Sequence, residues 1–122
     1  MKNKTIDYDN LLKIVNKNIC INLHYFRKQK NYQELIERII ILANKCIEIN
    51  DEQLTIIINC ENYSIIETDL DFINNLIKFL QETYVDKLQY LYFINYSTFI
   101  KTIYNNIKKN IDKTTIHKII FS

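Results

Sequence analysis

Apolar positions recur along this chain with two different periods. Tyr8, Leu11, Leu12 and Val15 fall at helical steps, so residues 6–17 read as a helix of about three turns. Residues 19–25 mix Ile, Cys, Leu, Tyr and Phe and read as a strand, followed by a polar, basic break at residues 27–30. Residues 32–49 carry the clearest helical stripe: Leu35, Ile36, Ile39, Ile40, Ala43, Cys46 and Ile47 at steps of three and four. Residues 54–58 are continuously apolar and β-branched, which suits a central strand buried on both faces.

Asp69 or Asp71 caps a second long helix, whose buried stripe is Phe72, Ile73, Leu76, Ile77, Leu80 and Tyr84. Residues 88–94 form a second continuous apolar run, rich in aromatics. A third helix begins at Thr98, with Phe99, Ile100, Ile103, Tyr104 and Ile107 facing either the core or an apolar pocket. Residues 115–121 read as a last strand. A helix, three strand–helix units and a final strand predict an α/β fold. Its mostly parallel sheet of about four to five strands is flanked by helices, and sites in such sheets gather at strand ends.

Composition changes this picture in one respect. The 122 residues include no Gly and no Pro. Every turn must therefore use other residues, and the abundant Asn is the natural substitute because it tolerates left-handed backbone. The Asn, Ile, Lys and Tyr bias has the character of an AT-rich coding sequence, as in large DNA viruses. The length suits a single domain spanning residues 1–122.

Charge and cysteine content exclude more than they assign. Sixteen Lys and Arg against fourteen Asp and Glu leave a net charge of +2, too mild to indicate nucleic acid. Cys20, Cys46 and Cys60 sit in apolar stretches and read as buried free thiols of a reducing compartment. The N-terminus has no apolar run behind its Lys and Asn residues, so no signal peptide is expected. No segment approaches ~20 uninterrupted apolar residues, so no membrane span is expected either. The cytoplasm is the expected location.

Candidate catalytic chemistry is sparse. His24 and His117 are the only histidines, no Ser sits in a nucleophile elbow, and a chain without Gly has no phosphate loop. Cys and His spacing fits no zinc pattern. Glu67, Asp69 and Asp71 cluster between a strand and a helix, where capping explains them without a metal. The expectation is a protein that is not an enzyme and carries no cofactor.

Basic residues are more informative. Arg27, Lys28 and Lys30 share one loop, and Lys101, Lys108, Lys109, Lys113, His117 and Lys118 crowd the last third beside Tyr96 and Tyr104. They form either a solvated face or an anionic headgroup site, with Lys as a point charge and Tyr as a hydroxyl.

From Leu54 to the end the order of elements resembles the CRAL-TRIO lipid-binding family. That family has a hydrophobic strand ending in Asp and then Gly, and here the segment is Ile56-Ile57-Ile58-Asn59-Cys60-Glu61-Asn62. A helix then runs into Tyr-Pro-x-x-Leu, matched by Tyr84-Val85-Asp86-Lys87-Leu88. A strand ending in Asn-x-Pro or His-Pro is matched by Tyr92-Phe93-Ile94-Asn95-Tyr96-Ser97. An aromatic helix follows, starting Thr98-Phe99-Ile100, and the chain closes on Ile116-His117-Lys118-Ile119-Ile120-Phe121. Asn59 stands for the family's Asp, Asn62 for its Gly, and Val85 and Ser97 for its two prolines.

The resemblance implies a minimal domain without the family's N-terminal helical subdomain or closing C-terminal segment. It implies that the helix over residues 98–111 corresponds to the family's mobile gate. It makes Lys118 the counterpart of a lysine that contacts inositol phosphate, with Lys101, Lys108, Lys109, Lys113 and His117 around it. The implied partners are phosphoinositide or another anionic lipid at a peripheral membrane surface, and a second copy in a dimer or tetramer. A self-assembling interaction module is the alternative. A STAS-like regulatory domain, with Ser64 or Thr68 as a phosphorylation site, is a further one.

Overall fold

A computed structural model describes residues 7–26, 32–63 and 70–122. The first turn of the predicted N-terminal helix forms, as α1 (Tyr8–Leu11). The Asp7 carboxylate caps it by accepting from the Asn10 backbone N–H at 3.3 Å. The rest of the predicted helix is instead a hairpin of β1 (Leu12–Val15) and β2 (Asn18–Asn22). Between them Asn16 (φ 52°) and Lys17 (φ 68°) are both left-handed, the pattern of a type I′ turn. Leu12 and Ile14 alternate with Lys13 and Val15, and they pair with Ile21 and Ile19 on one sheet face. That cross-strand burial overrides the helical spacing. β2 stops at Asn22, whose side chain accepts from the His24 N–H, and Leu23–Tyr25 form a 3-10 turn rather than more strand.

The next elements follow the sequence pattern closely. α2 (Tyr32–Ile49) buries Leu35, Ile36, Ile39, Ala43, Cys46 and Ile47. It ends where Asp51 and Glu52 turn left-handed, and the Glu52 N–H reaches the Ile47 carbonyl at 2.9 Å, a closure that glycine usually makes. β3 (Leu54–Asn59), α3 (Leu70–Thr83) and β4 (Leu88–Ile94) follow. α4 (Thr98–Ile107) is shorter than the expected 98–111, and a 3-10 turn at Lys108–Asn110 closes it. The expected strand over 115–121 divides into α5 (Lys113–Ile116) and β5 (Ile119–Phe121). Thr115 is buried within α5 and is not a strand residue.

The five strands lie in chain order, β1-β2-β3-β4-β5. β1 is antiparallel to β2, and the three remaining ladders are parallel. Each parallel crossover steps one strand in the same direction, and the buried residues of α2, α3 and α4 join a single core cluster with one face of the sheet. That face holds Ile19, Ile21, Leu54, Ile56, Ile58, Leu91 and Phe93, all essentially inaccessible to solvent. The expectation that β3 is buried on both faces holds only in part. Leu54, Ile56 and Ile58 are sealed in the core, whereas Ile57 points to the other face and is half-buried.

Candidate functional site

The carboxyl ends of β3 and β4 are joined by asparagine. The Asn59 Oδ1 accepts from Asn95 Nδ2 and from the Glu61 N–H, both at 3.0 Å. Asn62 (φ 57°) and Asn95 (φ 53°) are left-handed there. Asn62 thus makes the turn that a glycine would make, as its amide side chain tolerates this backbone. Ser97 also finds a use: its hydroxyl accepts from the Ile100 N–H at 3.3 Å and caps α4. The Asn59–Asn95 bridge has a sequence signal, since both residues end continuous apolar runs.

The six basic residues singled out by sequence separate into two groups. Lys101 stands alone near the carboxyl end of β5. Its ammonium lies 4.8 Å from the Phe121 ring centroid and 5.7 Å from that of Tyr96. Phe121 in turn stacks on Phe93 at 4.9 Å and touches Tyr104 and Tyr96. Burial pushes the Tyr104 hydroxyl above its ordinary pKa.

Lys108, Lys109, Lys113, His117 and Lys118 occupy the opposite, amino-terminal end of β5. The first four are exposed on the 3-10 turn and around α5. This segment is anchored by Asp112, whose N–H donates to Gln81 Oε1 of α3 at 2.8 Å. Lys118 is half-buried and its Nζ donates to the Val85 carbonyl at 3.2 Å. An ammonium has three donors, so this leaves two. None of the five lysines and histidines forms an ion pair among the described residues.

The apolar candidates on α4 also divide. Ile100 and Tyr104 belong to the core, Ile103 is buried, Ile107 packs against the core from its edge, and Phe99 is 52% exposed. A cleft of about 160 Å³ lies elsewhere, between α1, β1 and α2, lined by Tyr8, Leu12, Arg38, Ile41 and others. It is smaller than the roughly 300–1,000 Å³ of ligand pockets. Asp71 is exposed at the start of α3. Arg27, Lys28, Lys30, Ser64, Glu67, Thr68 and Asp69 lie outside the described residues. No helix among the described residues is long and apolar enough to cross a membrane.

The sheet runs in chain order with three of its four ladders parallel, and a short helix precedes its last strand. The family model of the CRAL/TRIO domain matches residues 8–122. The chain belongs to the CRAL/TRIO domain family. Its fold is also that of the crystal structure of Sfh5, with a TM-score of 0.75 at 20% sequence identity. That likeness covers 98% of this chain and 51% of the Sfh5 chain, so this CRAL/TRIO chain spans about half the length of that protein. No curated protein matches the sequence. Residues 54–121, where the family pattern is most legible, contain both the asparagine bridge and the basic end of the CRAL/TRIO sheet.

Proposed function

We propose that this CRAL/TRIO domain is a non-enzymatic lipid-binding module of the cytoplasm that docks peripherally on membranes and recognises phosphoinositide headgroups. One observation carries the reading. Lys108, Lys109, Lys113, His117 and Lys118 lie within eleven consecutive residues at one end of the sheet, four of them exposed and none in an ion pair among the described residues. Lysines close to an anionic bilayer contribute on the order of 1 kcal/mol each. Ile100 and Tyr104 fill the space beneath α4 in this conformation. Surface capture of a headgroup therefore needs less rearrangement than engulfment of a whole lipid. Lys101 lies apart from this group and serves α4 and β5 through its aromatic contacts. The test is co-sedimentation with phosphoinositide vesicles, wild type against Lys118→Glu. The reading expects binding that the substitution weakens, and equal binding by both proteins contradicts it.

A second reading has its own observation. The half-exposed apolar residues on the sheet face away from the helices favour self-association. The two readings are compatible, because a dimer multiplies weak membrane contacts.

A further inference from the structure

The sheet face opposite the helices has a definite layout. Lys13, Cys20, Ile57, Tyr92 and Ile120 are register partners in one row across all five strands. On either side lie Thr55 opposite Tyr90, and Asn22 beside Asn59 and Ile94. Cys20, Ile57, Tyr92, Ile94 and Ile120 are half-buried, Val15 and Tyr90 are exposed, and none of them belongs to the core cluster or packs against it. α2, α3 and α4 cover the other face.

We infer that this open face is a homodimer interface, in which two copies pack sheet against sheet. The inference rests on the self-association reading and assigns it a surface. Charge is the first reason. A quarter of the chain is Asp, Glu, Lys or Arg. Among the described residues Lys13 is the one charged strand residue along the open face, and it sits on the edge strand. A face that captured anionic lipid or nucleic acid would need cations. Loss of charge with aromatic enrichment is instead the mark of an interface centre.

Arrangement is the second reason. The middle of the row is apolar, while Asn18, Asn22 and Asn59 lie toward its margins, giving a dry centre and a polar rim. Area is the third. Strands of 4, 5, 6, 7 and 3 residues, at ~3.3 Å per residue and ~4.8 Å apart, present about 400 Å² per copy. Two copies then bury about 800 Å², the size of a weak, transient interface, so the dimer forms only at high concentration and comes apart on dilution. A twofold axis near Ile57 and Tyr92 sends the two Lys13 side chains to opposite ends, so like charges do not meet. The two sheets would stack about 10 Å apart, as in a β-sandwich.

The test is light scattering of the full chain over a concentration series, with Ile57→Lys and Tyr92→Lys as variants and circular dichroism as the folding control. Wild type is expected at twice the 14.8 kDa chain mass at tens of micromolar, falling to single mass on dilution. Both variants are expected at single mass, with thermal transitions matching those of wild type diluted to single mass. Should either lysine variant fail to fold, Ile120→Ser at the edge of the row replaces it, with weakened dimerisation expected. In parallel, Cys20 alkylation is expected to slow as wild-type concentration rises and to be independent of concentration in Ile57→Lys. A wild type that stays at single mass overturns self-association altogether, including the case in which it binds vesicles as a monomer. A wild-type dimer that persists in folded Ile57→Lys and Tyr92→Lys overturns the assignment of this face and leaves self-association standing.

Discussion

The Lys118 ammonium is tied to the Val85 carbonyl at 3.2 Å, linking the residue before β5 to the loop before β4. The bond is exposed to solvent, so its net worth is small. Lys118→Met is therefore expected to move the urea midpoint by less than about 1 kcal/mol equivalent. Lys118→Glu removes one attractive charge and adds a repulsive one, about 2 kcal/mol at an anionic surface. Vesicle affinity is expected to fall roughly thirtyfold. A large loss of stability in Lys118→Met would show that the lysine is structural.

The β1–β2 turn places a lysine where glycine is cheaper. Lys17 has φ 68°, and left-handed backbone costs a non-glycine residue about 1–2 kcal/mol. Glycine recovers part of this but adds freedom to the unfolded chain. Lys17→Gly is expected to stabilise the protein by roughly 0.5–1 kcal/mol in urea unfolding. A destabilised variant would mean that the turn is not type I′.

Phe93 is fully buried and stacks on Phe121 with ring centroids 4.9 Å apart. Truncating a buried phenylalanine costs about 3–5 kcal/mol. Native proteins are stable by only about 5–15 kcal/mol. Phe93→Ala is expected to lose much of the fold's cooperativity in thermal unfolding, and a shift of only a few degrees would contradict this packing.

The thiols should differ in reactivity. Burial pushes the Cys60 thiol from 9.0 up to about 12, and Cys20 is the least buried of the three cysteines. In dilute, monomeric protein near pH 8, a thiol reagent is expected to modify Cys20 first and Cys60 only on unfolding. The linkage also has a direction. Below pH 9 the Cys60 thiol is neutral in both states. Between pH 9 and about pH 12 the unfolded chain ionises it and the folded chain does not. Stability should fall through that window. The fall should be shallower in Cys60→Ala, which a pH series of urea midpoints measures.

Much of the fold is legible in the residues, and the reasons are local. α2 and β4 follow the sequence because their stripes, Leu35 to Ile47 and Leu88 to Ile94, are long enough for one period to dominate. The region around Leu12 reads as helix because Tyr8, Leu11, Leu12 and Val15 satisfy helical spacing, but Leu12 and Ile14 also satisfy strand alternation. Only pairing with Ile19 and Ile21, a tertiary fact, decides it. A turn written Asn16-Lys17 lacks the glycine that usually announces a hairpin. At the other end, Thr115 and Ile116 have strand-like character but are taken up by α5.

The candidate site was legible in composition and less so in geometry. Proximity in sequence suggested one basic cluster. Yet Lys101 and Lys118 lie at opposite ends of β5, because α4 runs back along the sheet between them. The open face was harder to see. Tyr92 and Ile57 sit in continuous apolar runs, which look the same whether one face or both are buried. Sequential crossovers, which gather α2, α3 and α4 onto one core, make the difference.

Anionic lipid capture by the basic end of the sheet is tested most directly by vesicle flotation at about 0.15 M salt. Neutral vesicles, phosphatidylserine vesicles and phosphoinositide vesicles of matched charge would be compared for wild type and a Lys108→Glu, Lys109→Glu double variant. Wild type is expected to float with phosphoinositide vesicles most, with phosphatidylserine less and with neutral vesicles not at all, and the double variant is expected to lose the first two. Equal flotation of both proteins, or wild-type flotation indifferent to vesicle charge, would contradict the account.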